Sequence, residues 1–166
     1  MVPKTLQKHL IKIGVNADAV AHKTVYTAYD LAKTTGVNLA HIAKTILIKV
    51  EPHYGENKFK HIIAVLPASH QLDLKKFKAA LKAKKISIAD ERLMSKLFKI
   101  KAGALTPFSA MHGNVPVFID KALLKAKKIM TRSGSFTDSV FLKPKDFLEA
   151  TAGSISSFAK KVIGKK

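Results

Sequence analysis

Few side chains in this sequence have the types and spacing that chemistry needs. Seven histidines, His9, His22, His41, His53, His61, His70 and His112, raise the question of a metal. A histidine site needs ligands paired at helical or strand spacing with carboxylates or thiolates near them. None of the seven forms such a pair, so no metal and no cofactor is expected. There is no cysteine, which excludes disulfides, thiolate nucleophiles and zinc–thiolate centres. No nucleophile elbow, phosphate-cradling Walker loop or dinucleotide fingerprint is present. What remains is an unusual Gly-x-x-x-Pro loop, Gly103-Ala104-Leu105-Thr106-Pro107-Phe108, which read alone is an ordinary tight turn, and a large excess of lysine.

Thirty basic residues stand against eleven acidic ones, for a net charge of +19. Only Arg92 and Arg132 are arginines. The excess is spread over the whole length, with +5 in residues 1–50, +6 in 51–100, +4 in 101–150 and +4 in 151–166. A surface of this kind attracts phosphate backbones at long range, so a nucleic acid is the natural partner. The densest stretch, residues 75–101, holds ten basic and two acidic residues. Lys75, Lys76, Lys78, Lys82 and Lys96 within it are the candidate phosphate contacts.

The elements that must carry these residues follow from periodicity. With 166 residues, 47% of them apolar, the chain is long enough for one well-filled domain. Leu6, Leu10 and Ile13 at helical spacing predict an amphipathic helix over 4–13 that closes at Gly14. Its sharper alternative is a membrane-surface helix. Thr27 and Asp30 at capping-box spacing start a second helix that ends at Gly36, and Asn38 can cap a short turn through His41. Residues 43–50 and 59–66 are β-branched and apolar and predict an antiparallel pair of strands, with Pro52 and Gly55 in a turn over 51–57. The second strand is apolar enough to be buried on both faces. Asp73 caps a helix to about Ala83, with Leu74, Phe77 and Leu81 inward. Another helix is expected from Asp90 through Phe98. Strands follow over 115–119, 128–131 and 139–142, the last two joined by Ser133-Gly134-Ser135, and Pro144 opens a final helix. Residues 153–166 look like a basic appendage, helical or frayed. Helices and strands mixed in this way indicate a single α/β domain around a mixed sheet. No apolar run is long enough to span a membrane, and no secretory signal is expected at the N-terminus.

Five blocks, in order, resemble the YbaK/prolyl-tRNA-synthetase-associated family of trans-editing aminoacyl-tRNA deacylases. Ile42-Ala43-Lys44-Thr45-Ile46-Leu47-Ile48-Lys49 is similar to its lysine–threonine strand. The run from Ala64 to Lys76 is similar to its strand, proline turn and helix. The loop from Gly103 to Phe108 resembles its Gly-x-x-x-Pro-Phe loop, Val115 to Asp120 its strand ending in aspartate, and Lys143 to Leu148 its closing helix. Ser109 stands where many members have glycine, and the turn before the last strand reads Gly134-Ser135-Phe136-Thr137 rather than a Gly-basic-basic-Gly pattern.

The resemblance implies one editing domain over residues 1–152, with a mixed, mostly antiparallel sheet flanked by helices, and a basic tail over 153–166. It implies hydrolysis of the ester on mischarged tRNA, tRNA for proline carrying Cys, Ala or another small amino acid. Lys44 would hold the terminal phosphate or carbonyl region. Gly103 and Pro107 would shape the loop so that the amides of Ala104 and Leu105 face the developing oxyanion, where one donor is typically worth about 3–4 kcal/mol. Thr45, Thr106, Phe108, His70, Asp120 and Ser135 would border the substrate. The family's chemistry leans on the substrate's 2′-hydroxyl, on a cysteinyl thiol or on a backbone-held water, in keeping with a chain that has no triad. Further implications are a cytoplasmic monomer or weak dimer, with prolyl-tRNA synthetase as a partner and no membrane. The other reading is a non-catalytic RNA-binding or regulatory module that keeps the fold.

Overall fold

The computed structural model describes residues 2–90, 96 and 105–161, and at its centre stands the hairpin expected from the two apolar runs. Strand β2 (Ala43–Tyr54) pairs antiparallel with β3 (Phe59–Pro67), with Ala43 opposite Pro67 and Ile48 opposite Ile62. The first strand runs on into the expected turn: the register breaks between Lys49 and Tyr54, and the chain reverses at Gly55, within the span expected for the turn. Strand β3 is buried on both faces. Ile63 and Val65 enter one core, and Ile62, Ala64 and Leu66 enter another, as the two-residue period of a strand requires.

Around this hairpin a five-stranded sheet forms in the order β5-β2-β3-β6-β9, where β5 is Lys85–Ile88, β6 is Val117–Asp120 and β9 is Ser154–Ser156. β5 joins antiparallel, whereas β3–β6 and β6–β9 are parallel. A three-stranded antiparallel sheet carries β1 (Asp18–Ala21), β8 (Asp138–Leu142) and β7 (Ile129–Arg132). A two-stranded sheet pairs β4 (His70–Leu72) with β10 (Ala159–Lys161). The mixed α/β architecture is the expected one.

Helix α1 (Lys4–Ile13) buries Leu6 and Leu10 in the first core and closes at Gly14 in the left-handed conformation. Leu6 and Leu10 are thus docked on the domain, while Ile11 on the same helix is exposed. Helix α2 (Ala28–Thr35) begins where Thr27 accepts the Asp30 N–H at 3.0 Å and ends at Gly36. Asn38 caps the short turn Leu39–His41. Helix α3 (Leu74–Leu81) begins where Asp73 accepts the Lys76 N–H. Phe77 and Leu81 point inward, but Leu74 is exposed, because as the first helical residue it lies at the rim of the buried stripe. Helix α4 (Pro144–Thr151) has Pro144 in its first turn. The helix expected from Asp90 to Phe98 falls, apart from Asp90 and Lys96, outside the described residues.

Up to residue 161, the segment after α4 is not the helical or frayed appendage expected from composition. Residues 154–156 and 159–161 are strands, and Phe158 between them is fully buried, its ring 4.4 Å from that of Phe77. Gly153 lets the chain turn across β6: a Cβ there would run into Ile119 Cδ1 and stand 2.9 Å from its Cγ1. Among the described residues, no helix is long and apolar enough to cross a membrane.

Candidate active site

Lys44 sits at the start of β2, opposite Leu66, where the Ile42 carbonyl accepts the Ala68 N–H. The side chain is half-buried, so its ammonium must find a partner. It donates to the His70 carbonyl oxygen. The ammonium also lies 5.8 Å from the centroid of the Tyr29 ring, within the range of a cation–π attraction. Two of the expected residues thus meet, although it is the His70 backbone that holds Lys44. The His70 ring pairs through Nδ1 with Ser69 Oγ at 2.9 Å. Thr45, the next residue along β2, is half-buried opposite Val65.

Gly103 and Ala104 lie outside the described residues. From Leu105 to Ser109 every residue of the loop is buried, and Leu105 and Phe108 are anchored in the first core. Thr106 N–H donates to His112 Nε2 at 3.2 Å, and Thr106 Oγ1 stands 2.8 Å from the same nitrogen. A backbone N–H can only donate, so Nε2 is the acceptor and the ring proton resides on Nδ1. Burial pushes the His112 imidazole down to about 4, with the Thr106 backbone contact opposing the shift, so the ring is neutral at pH 7. Ser109 is accommodated where glycine was the family expectation: its hydroxyl donates to the Val115 carbonyl at 2.6 Å.

The hairpin turn between β7 and β8 rests on this loop. Gly134 has φ +101°, and a Cβ there would stand 3.7 Å from Thr106 Cγ2. A cavity of about 200 Å³ opens between Pro3, Thr106, Met111, His112, Ser133 and Gly134. Ser135 Oγ donates to Asp138 Oδ2 at 3.3 Å and contacts Thr137 Oγ1 at 3.1 Å. The loop containing Pro107 and the turn containing Ser135, 28 residues apart in sequence, therefore form one wall.

Asp120 does something else with its oxygens. It is buried, Oδ1 accepts the N–H groups of Phe158 (2.7 Å) and Ala159 (2.9 Å), and Oδ2 accepts that of Ala122 (2.9 Å). This carboxylate fastens the C-terminal strands to the end of β6. Lys75, Lys76, Lys78 and Lys82 are exposed on and just after α3, and Lys96 is exposed too. The sequence assigned no role to Arg132, Tyr26, Tyr29 or Phe136: Phe136 stood out only as part of the turn after Gly134, Arg132 only as one of two arginines, and the tyrosines are two of three. Among the described residues, no group of three histidine, aspartate or glutamate side chains could hold a metal ion.

The aminoacyl-tRNA editing domain family is matched over residues 22–150. The chain belongs to this family. Editing is hydrolysis of the ester joining an amino acid to tRNA, so the editing domain is of the deacylase class of hydrolases. It is 26% identical over 146 residues to the multifunctional Ser/Thr-tRNA deacylase ProXp-y of Escherichia coli K12, covering 87% of this chain and 85% of that protein. It is 22% identical over 152 residues to the prolyl-tRNA editing protein ProX of Acetoanaerobium sticklandii, covering 90% of each. The fold matches the crystal structure of hypothetical protein APE2540 with a TM-score of 0.81 at 18% identity, over 93% of this chain and 99% of that one. It also matches a candidate trans-editing enzyme for prolyl tRNA synthetase, with a TM-score of 0.76 at 18% identity over 95% and 96%. The editing domain's β9 and β10 lie beyond the family match.

Proposed function

We propose that this protein acts in trans on mischarged tRNA, hydrolysing the ester of tRNA for proline that carries cysteine, alanine or another small amino acid. The observation that carries this reading is the seating of Lys44, a half-buried ammonium fixed by the His70 carbonyl at the start of a buried strand. Water attacks the ester carbonyl, negative charge collects on its oxygen, and the bond to the ribose oxygen breaks as that oxygen takes a proton. A cation held in place beforehand stabilises that charge without reorganising. Lys44 turns its remaining protons to the ester carbonyl or to the terminal phosphate, and the amides of Ala104 and Leu105 supply the oxyanion donors on a loop shaped by Gly103 and stiffened by Pro107.

Thr45, Thr106, Phe108, His70 and Ser135 border the amino acid and ribose, with Asp120 acting behind them. His112 Nε2 is committed to Thr106 and Asp120 to backbone amides, so the proton of the attacking water goes to the substrate's 2′-hydroxyl or to a backbone-held water. Lys75, Lys76, Lys78, Lys82 and Lys96 track the acceptor-stem phosphates, with binding that weakens steeply with salt. The setting is the cytoplasm, with prolyl-tRNA synthetase as the enzyme whose errors are corrected and a monomer or weak dimer as the working form.

The test is hydrolysis of alanyl-, cysteinyl-, seryl- and threonyl-tRNA, wild type beside Lys44→Ala. Serine and threonine are on the panel because one relative is named for them. Turnover by wild type that Lys44→Ala loses, with tRNA binding retained, supports the reading, and the preferred amino acid names the pocket. Tight tRNA binding without turnover on any of the four overturns it in favour of a binding module.

A further inference from the structure

Three aromatic rings, Tyr26, Tyr29 and Phe136, and two cations, Lys44 and Arg132, form a chain of contacts between segments distant in sequence. Tyr29, in the first turn of α2, lies under the Lys44 ammonium. Tyr26, just before that helix, has its ring 5.0 Å from Phe136 in the β7–β8 turn. Phe136 lies 6.0 Å from the Arg132 guanidinium. The patch is tied together by backbone: the Val25 N–H donates to the Phe136 carbonyl at 2.9 Å, and Arg132 Nη1 donates to the Val25 carbonyl at 3.1 Å. Ile42 and Met130 form a parallel bridge, which carries Lys44 and Arg132 the same way along neighbouring chains.

Two facts do not fit a purely structural patch. Tyr26 is 60% and Tyr29 52% exposed, although large aromatic rings gain by burial. Arg132 Nη2 is buried and has no hydrogen-bond partner among the described residues, and a buried donor left unmade is costly. Rings open on a face beside cations suit an unstacked nucleobase with its phosphate. Single-stranded RNA is held by stacking on aromatic side chains and by cations that follow its backbone.

We propose that Tyr26, Tyr29 and Phe136 form a stacking platform for the unpaired terminal base of the RNA acceptor end, with Arg132 and Lys44 taking the adjoining phosphate or base edge. This deepens the deacylase reading and rests on it: the platform holds the 3′ nucleotide so that its ester reaches Lys44.

The test compares two transcripts of tRNA for proline, one complete and one lacking only the terminal adenosine, against wild type, Tyr26→Ala/Tyr29→Ala and Tyr26→Phe/Tyr29→Phe. Both tyrosines are exposed, so the variants keep the fold, and their unfolding curves check it. Wild type is expected to bind the complete transcript roughly 5- to 100-fold more tightly than the shortened one. The alanine pair loses that preference, binding both transcripts alike, and the phenylalanine pair retains it. In deacylation the alanine pair raises KM with little change in kcat. Equal binding of the two transcripts by wild type, or a preference that survives in the alanine pair, overturns the platform. Loss of the deacylase reading is a separate result: it shows as absent turnover in wild type, whatever the transcripts show.

Discussion

Replacing Asp120 by alanine tests how the end of the chain is held. The carboxylate accepts three backbone N–H groups, those of Phe158, Ala159 and Ala122, at 2.7 to 2.9 Å. The Phe158 amide is buried, and leaving it without an acceptor costs about 1–3 kcal/mol. The other two are partly exposed and turn to water, adding about 0.5–1.5 kcal/mol each. Removing a buried charge returns part of its desolvation cost, so a net loss of about 3 kcal/mol is expected. For a chain of this size that lowers Tm by about 6–12 °C. The loss is local first. Phe158 sits against Phe77, the Asp73 N–H donates to the Phe158 carbonyl, and β10 pairs with β4. Amides from 158 to 161 and from 70 to 73 therefore lose hydrogen-exchange protection before the central hairpin does. Asp120→Asn keeps the Oδ1 acceptor but turns an N–H₂ group on Ala122, and falls between the two. The assays are thermal and denaturant unfolding with amide exchange read by residue. An Asp120→Ala protein within 0.5 kcal/mol of wild type, with unchanged exchange in β10, refutes the reasoning. If that same protein also lost deacylation, Asp120 would belong to the substrate after all.

Lys44→Ala is expected to lower kcat for deacylation by at least roughly 100-fold, the scale of losing a preorganised oxyanion partner, while tRNA affinity at fixed salt changes by less than about threefold; single-turnover hydrolysis with filter binding measures both. His112 is depressed from 6.5 to about 4 by burial, so the unfolded chain binds its proton first as pH falls. Full stability is present above pH 6.5, and up to about 3 kcal/mol is lost between pH 6.5 and 4. The difference in unfolding free energy between wild type and His112→Asn, followed across that range, shows the slope. Gly153→Ala drives a methyl into the buried Ile119 side chain and is expected to cost about 1–3 kcal/mol, read by urea unfolding.

Much of the scaffold was legible along the chain because it depends on neighbours in sequence. Thr27, Asn38 and Asp73 cap the turns that follow them within two or three residues, and the runs over 43–50 and 59–66 are long and apolar enough to declare a buried hairpin. Lys44 was legible through the strand Ile42–Lys49 that resembles the family's lysine–threonine strand, and the loop at Pro107 by its residue types. The short strands were not. Ser154–Ser156 and Ala159–Lys161 are short and, Ile155 apart, small, polar or basic, and they are strands because β6 and β4 offer edges to pair with. Strand formation of this kind reflects context more than propensity. Asp120 read as the end of a strand, yet its partners Phe158 and Ala159 lie 38 and 39 residues away. Arg132 meets Val25 across 107 residues, and Phe136 meets Tyr26 across a similar span. The amino-acid order alone determined the local caps, the central hairpin and the excess of positive charge. Tertiary structure alone decided what holds Lys44 and which ring lies against it, because contacts between distant segments are set by packing and leave no period in the sequence.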